Sequence, residues 1–85
     1  MARYHYETRR GAERQFPHRV DIAVPELGLG DRLNAMHAWC YEHVTDGTWD
    51  QHHHSERRAG EQPIDYARFY FSSEADAEAF RQRWL

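Results

Sequence analysis

Seven histidines and one cysteine are the side chains of this sequence with the widest chemical range. Imidazole titrates near neutral pH and ligates transition metals, and a thiolate is both a nucleophile and a metal ligand. A run of three histidines extends from His52 to His54, and His37 and His43 lie on either side of Cys40. These positions raise two possibilities, a metal site and a catalytic site.

Metal binding is the first possibility. Alternate residues of a strand share a face, so His52 and His54 are candidate ligands, and His37 and His43 are candidates on a helix. The spacing matches neither paired Cys-x-x-Cys motifs nor the His-Glu-x-x-His motif. We therefore predict no metal and no cofactor, and the four histidines remain weak candidates only. A pH-sensitive surface is the simpler consequence of so many imidazoles.

Catalysis is the second possibility. Cys40 with a neighbouring helix histidine is the one nucleophile and base pair that proximity in the sequence offers. Asp21 with His52 or His54 forms an alternative acid and base pair, if the two strands meet in one sheet. No glycine-rich loop suited to an oxyanion accompanies Cys40, which instead lies within an apolar stripe. The sequence thus favours a protein that is not an enzyme.

Two segments have the alternation of half-buried strands. In residues 18–24 the apolar side chains fall on every second position, beginning at Val20, and the polar ones fall between them. In residues 64–71 Ala67, Phe69 and Phe71 share one face. Residues 48–56 and 3–8 follow the pattern less closely, and we expect each to form a further strand.

Two segments have helical periodicity. The first helix is predicted over residues 32–43 or 44, and the second after residue 73, where a hydroxyl is placed to cap it. The apolar stripe of the first comprises Leu29, Leu33, Met36, Cys40 and Val44, and that of the second comprises Ala77, Phe80 and Trp84. Each stripe predicts packing against a sheet.

The element order is (β)βαββα, with the first strand in parentheses because its pattern is the weakest. Helices that each bury one stripe on an antiparallel sheet form a two-layer α+β sandwich of the ferredoxin-like kind, with both helices on one face. The chain has 85 residues, so we expect a single domain over residues 1–85.

Composition narrows the classes of function. All eleven basic residues are arginine, which excludes lysine Schiff-base chemistry, and the formal charge of −3 argues against a general nucleic-acid binder. A single cysteine excludes an internal disulfide. No apolar run reaches the length of a signal or membrane segment, so we expect a cytoplasmic protein with no membrane partner.

One stretch, residues 66–80, resembles the third strand and second helix of RNA-recognition-motif domains. The residues that match the aromatic box of that family are Tyr66, Ala67 and Phe71. Ile64 and Asp65 replace its leading basic residue and glycine, and Arg68 stands where an exposed aromatic belongs. The resemblance therefore implies a ferredoxin-like fold more than RNA binding. The chain as a whole also resembles small single-domain proteins of alphaproteobacteria and their phages, a similarity that implies no activity.

If both helices cover one face of the sheet, the other face is open. The residues that we predict on this open face, as an interaction surface, are Arg19, Asp21, Tyr66, Arg68 and Tyr70. The simplest alternative is that these tyrosine and arginine side chains pair with one another on a solvated sheet.

The sequence therefore favours a non-enzymatic interaction domain that forms a homodimer or binds a protein partner, such as a regulator or inhibitor in phage or host. Two other classes remain open, a histidine-based metal protein or small ferredoxin-like enzyme, and a single-stranded RNA-binding module.

Overall fold

The computed structural model describes residues 16–45 and 47–85, which form three strands and two helices. In chain order the elements are β1 (His18–Ala23), α1 (Asp31–His43), β2 (Trp49–Glu56), β3 (Ile64–Phe71) and α2 (Glu74–Trp84). The α+β class predicted from the sequence is confirmed. The predicted strand at residues 3–8 lies outside the described residues.

The three strands form one antiparallel sheet with the order β1-β3-β2. The last strand in the chain is thus the central one, with Val20 of β1 and Gln51 of β2 both paired to Phe69. Since β1 and β2 each run antiparallel to β3, they are parallel to each other. Helix α1 connects these two parallel strands across the sheet, a connection that hairpins cannot make.

Both helices pack on the same face of the sheet. The alternation in β1 and β3 places every second side chain on this face, and the helical stripes cover them. The fully or nearly fully buried core comprises Val20, Ile22, Met36, Cys40, Val44, Trp49, Ala67, Phe69, Phe71, Ala77 and Phe80. Phe80 lies at its centre, with ring centroids 4.6 Å from Phe69 and 5.3 Å from Phe71. Aromatic pairs of this kind contribute about 0.5 to 1.5 kcal/mol each beyond the area that they bury.

Helix α2 begins where the sequence predicts it. The Ser73 hydroxyl accepts a hydrogen bond of 3.4 Å from the backbone N–H of Asp76, and Glu74 and Asp76 place negative charge in the first turn. Arg81 and Arg83 lie in the last turn, where positive charge interacts favourably with the negative end of the helix dipole. Capping and charge thus fix the turn that joins β3 to α2.

The predicted elements agree closely with the observed ones. Strand β3 has the predicted bounds, β1 ends one residue earlier than expected, and α1 begins one residue earlier. The buried position of Cys40 is also confirmed. No helix within residues 16–45 and 47–85 has the length and apolar composition that crossing a bilayer requires.

Candidate interaction surface

The sheet face opposite the helices carries the residues that the sequence singled out. The register sets them in three rows across the sheet, each with one residue from β1, β3 and β2. The rows are Arg19, Tyr70 and Asp50; Asp21, Arg68 and His52; and Ala23, Tyr66 and His54. The five predicted surface residues therefore do lie on one face, but the rows differ greatly in solvent exposure.

An ion pair joins two of these residues in the middle row. Arg68 donates from Nε to Oδ1 of Asp21 at 2.7 Å and from its terminal NH2 group to Oδ2 at 3.0 Å. The hydrogen bond from Arg68 is the main reason why the pKa of Asp21 is lowered, and the same bond raises the pKa of Arg68. Arg68 as a whole residue is only 8% exposed. Its charge is therefore satisfied within the protein, and Arg68 is not the exposed cation that we expected.

Tyr70 differs more strongly from the prediction. Its side chain is fully buried, packed against Phe16 just before β1 and against the ring of His52 at a centroid distance of 5.9 Å. The expectation that Tyr70 is exposed is wrong, because the side chain of Phe16 packs against it on this end of the sheet face. Arg19, in the same row, remains exposed.

Asp50 and His52 form a further pair, which no pattern in the sequence predicts. Asp50 is fully buried, and its Oδ2 lies 3.1 Å from Nε2 of His52 while its Oδ1 accepts a 2.8 Å hydrogen bond from the backbone N–H of Gln51. A carboxylate at Nε2 favours the tautomer with the proton on that nitrogen. The pair therefore holds the ring of His52 against Tyr70, at the end of the face where Tyr70 is buried.

The third row is accessible at Ala23 and in part at Tyr66, whereas the His54 side chain is 16% exposed. Tyr66 is half-buried and stacks on His54 with ring centroids 6.1 Å apart, Ala23 is exposed, and Ile64 is 40% exposed two residues before Tyr66. We call these four residues, Ala23, His54, Ile64 and Tyr66, the Tyr66 patch. It is aromatic and aliphatic, without a formal charge when His54 is neutral. Single apolar residues on a surface are common, and a contiguous group of them is a candidate contact site.

Comparison with family models, with curated proteins and with solved structures finds no match for this chain. The function of the site is therefore inferred from its own geometry.

The four histidines considered as metal ligands do not come together. His52 bonds Asp50 on the face opposite the helices, where His54 also lies, whereas His37 on α1 pairs with Gln51 at 3.0 Å and His43 stacks on Trp39. Within the part of the chain that the structure describes, no three histidine, cysteine or carboxylate side chains are placed to hold one metal ion.

The proposed nucleophile is equally unsuited to its role. Cys40 is fully buried in the core, and burial raises the pKa of its thiol to about 12, with a smaller contribution from the charge of Asp76. A thiol with this pKa is almost entirely protonated at neutral pH, so it is a poor nucleophile. Asp21 is bound to Arg68 rather than to a histidine. Neither of the two catalytic pairs forms as the sequence suggested.

A pocket of about 180 Å³ lies on the helix side of the same end of the sheet. It lies between the start of α1 and the sheet, and Tyr66 borders it. The other residues that line it are Val24, Leu29, Leu33, Ala67, Gln51 and His53. The two polar side chains have partners, since Gln51 Oε1 pairs with His37 and His53 Nε2 lies 3.0 Å from Asp65 Oδ1.

The turn beside this pocket exposes a large apolar side chain. The backbone N–H of Gly28 donates to the carbonyl of Pro25 at 2.9 Å, which closes a four-residue turn, and Gly28 has a φ of 84° that favours glycine. Leu27 lies in this turn and is 99% exposed. Sequence reasoning missed both features, because a turn residue has no periodicity and the pocket forms only when three elements meet.

Proposed function

We propose that this chain is a non-enzymatic interaction domain that associates with a second copy of itself through the Tyr66 patch. The observation that carries the proposal is the contrast between the rows of one sheet face. In the middle row Arg68 and Asp21 neutralise each other, and in the next row Phe16 covers Tyr70. The Tyr66 row, in contrast, offers aromatic and aliphatic surface that is partly accessible.

Charge supports a second copy as the occupant. Residues beside the patch include Glu56 on β2, with a side chain that is 41% exposed, and Asp21 and Arg68, which neutralise each other. A two-fold contact places identical patches face to face, so an uncharged centre avoids the repulsion that like charges would produce there. Aromatic residues at such a centre are typical of protein interfaces.

The same observations weigh against the other classes that the sequence left open. Binding of single-stranded RNA requires aromatic side chains that stack bases and free cations that meet phosphates. Tyr70 is buried and Arg68 is bound to Asp21, so the face lacks both at its centre. The dispersed histidines and the buried thiol of Cys40 give no support to a metal protein or an enzyme.

We also infer that the fold is of the ferredoxin-like kind. Two features support this assignment, the βαββα order of elements and the central position of β3 between the parallel strands β1 and β2. In such folds one sheet face is free of helices, which is the face that carries the Tyr66 patch.

Sedimentation velocity over a range of concentrations tests the proposal. We expect the wild-type chain to form a dimer below about 1 mM, the dissociation constant that corresponds to about −4 kcal/mol. Ile64→Asp places a charge in the centre of the patch, and Tyr66→Ala removes its largest ring. Each substitution should shift the dissociation constant upward by about tenfold or more.

Arg19→Ala is the matched control, because Arg19 is exposed on the same face but belongs to the covered Tyr70 row. It should leave the dissociation constant unchanged. Circular dichroism establishes that each variant remains folded. A wild-type chain that stays monomeric at about 1 mM, or a dimer that is indifferent to Ile64→Asp and Tyr66→Ala, contradicts the proposal.

A further inference from the structure

We propose that the outer edge of β2 binds an extended peptide segment of a partner protein, and that one apolar side chain of this peptide enters the pocket beside α1. The binding surface differs from the Tyr66 patch and does not depend on self-association. Two independent features carry the proposal. They are the backbone groups of β2 that face away from the sheet and the position of the pocket beside them.

Strand β2 lies at an edge of the sheet, so half of its backbone groups point away from β3. The N–H of Ser72 donates to the carbonyl of Thr48 at 3.0 Å, and bonded pairs alternate along an antiparallel ladder. The even-numbered residues of β2 therefore bond β3, and the backbone groups of Gln51, His53 and Ser55 point outward. Those of His53 and Ser55 have no partner among the described residues.

The unpaired stretch ends at Gln51. Its backbone N–H donates to Oδ1 of Asp50 at 2.8 Å, so only its carbonyl is open to another strand. The edge then offers the N–H groups of His53 and Ser55 and the carbonyls of Gln51, His53 and Ser55. An antiparallel strand of about five residues matches these groups, because the three residues opposite them are two positions apart. Such an edge is a template for the addition of a strand.

Helix α1 runs alongside β2 on the helix side of the sheet. Leu33, His37 and Tyr41 follow one another at intervals of four residues and therefore share one side of the helix. Nε2 of His37 lies 3.0 Å from Oε1 of Gln51, and the ring of Tyr41 lies 5.3 Å from that of Trp49. Leu33 lines the pocket. A strand added to β2 therefore lies beside this helix.

The pocket lies next to the unpaired stretch of β2. Gln51 and His53 both line it, and the His53 side chain is 66% exposed, so the pocket borders solvent at this edge. In an added strand, the residue opposite His53 points to the same sheet face as His53, which is the face of the pocket. Neighbouring strands lie about 4.8 Å apart, a distance that a long apolar side chain spans.

The size and polarity of the pocket define the side chain that it accepts. Its volume is about 180 Å³, and an apolar cavity of about 150 Å³ accommodates benzene. Val24, Leu29, Leu33 and Ala67 supply apolar contacts. We therefore expect leucine, methionine or phenylalanine at the central position of the peptide and β-branched residues on either side. Proline is excluded from positions that donate to the edge, because it lacks the N–H.

Selection of random heptapeptides displayed on phage against the wild-type chain tests the proposal. The enriched peptides should share the central apolar residue, and a synthetic copy of one of them should bind with a dissociation constant below about 1 mM. A second copy with serine at the central position should bind at least about tenfold more weakly, because it leaves the pocket empty.

Ser55→Pro tests the backbone contact. Proline removes the outward N–H of this residue, and an edge strand tolerates proline where that N–H faces solvent, so the bonds between β2 and β3 remain. We expect the synthetic peptide to bind this variant about tenfold more weakly. Ser55→Ala is the matched control and should bind as the wild type does. Circular dichroism establishes that both variants remain folded.

Amide hydrogen exchange followed by NMR locates the bound peptide. The N–H groups of His53 and Ser55 should exchange quickly in the free chain and at least about tenfold more slowly with the peptide bound, whereas that of His54, which bonds β3, should change little. Ile64→Asp should bind the peptide as the wild type does, so loss of the dimer and loss of peptide binding are separate results.

Each contrary result overturns a stated part of the proposal. A selection without enrichment, or a bound peptide that leaves the exchange of His53 and Ser55 unchanged, overturns the proposal as a whole. Equal binding to Ser55→Pro and Ser55→Ala overturns the pairing with the edge. Equal binding of the peptide with central serine overturns the role of the pocket.

Discussion

Arg68 and Asp21 lie directly opposite each other on neighbouring strands and are joined by two hydrogen bonds, of 2.7 and 3.0 Å. The pair links the central strand β3 to β1 on the face away from the helices. The Arg68 side chain is 10% exposed and that of Asp21 is 31% exposed, so solvent screens the pair only in part. Because the pair is only partly screened, we expect it to make a measurable contribution to the free energy of unfolding.

We expect Arg68→Leu to lower the free energy of unfolding by about 2 kcal/mol, because it removes both hydrogen bonds and leaves a half-buried carboxylate without its partner. Asp21→Asn should lower it by about 1 kcal/mol, since the amide oxygen still accepts one bond. Urea denaturation of both single variants and of the double variant gives the coupling energy. A coupling energy near zero would contradict the stabilising role of the pair.

The same pair predicts how stability depends on pH. The pKa of Asp21 is lowered from 3.8, so in the unfolded chain the carboxyl binds its proton at a higher pH than in the folded protein. The resulting stabilisation is present above about pH 4 and is lost as the pH falls through the lower folded pKa. The difference in unfolding free energy between the wild type and Asp21→Asn should therefore shrink as the pH decreases from about 5 to about 2. A difference that stays constant over this range would exclude Asp21 as the titrating group.

Cys40 should react very slowly with thiol reagents in the folded protein. With a pKa of about 12 instead of the ordinary 9.0, the thiolate fraction at pH 8 falls by about three orders of magnitude. Burial excludes the reagent as well. We expect modification at pH 8 to be at least about 100-fold slower in buffer than in concentrated urea. Comparable rates in the two solutions would place Cys40 at the surface.

Phe16→Ala should expose Tyr70 and destabilise the protein. Phe16 is 3% exposed and packs on Tyr70, so truncation removes a buried ring and opens a cavity, at a cost of about 3 kcal/mol. Urea denaturation measures the loss, and second-derivative ultraviolet spectra follow the new exposure of tyrosine. Glu26→Ala, at an exposed position, is the control and should change the stability by less than about 0.5 kcal/mol.

Sequence reasoning predicted the elements well because they carry local signals. The alternation around Phe69 fixes β3, and the Ser73 hydroxyl marks the start of α2. Each signal depends on residues within a few positions of one another, and neither requires knowledge of the tertiary fold. The same period of two also placed Arg68 and Tyr70 on the face opposite the helices.

Exposure could not be predicted in the same way. A period of two indicates which face a side chain is on, but it does not indicate whether another part of the chain covers that face. Phe16 lies outside any periodic segment, so its packing on Tyr70 left no trace in the sequence. The bond between Arg68 and Asp21 joins residues that are 47 positions apart in the chain, so it depends on the register of β1 against β3. The sequence therefore predicted the composition of the surface better than its accessibility.

The position of β3 between β1 and β2 has a consequence for synthesis of the chain. Both outer strands pair with β3 and precede it in the sequence, so neither can form its observed ladder until residue 71 has emerged from the ribosome. The pairing of β1 with β3 joins residues that are distant in the sequence, so it forms more slowly than the local pairing of β2 with β3. During translation the apolar side chains of Val20 and Ile22 therefore stay exposed until β3 is available to pair with β1. At that stage the chain is most open to binding by chaperones.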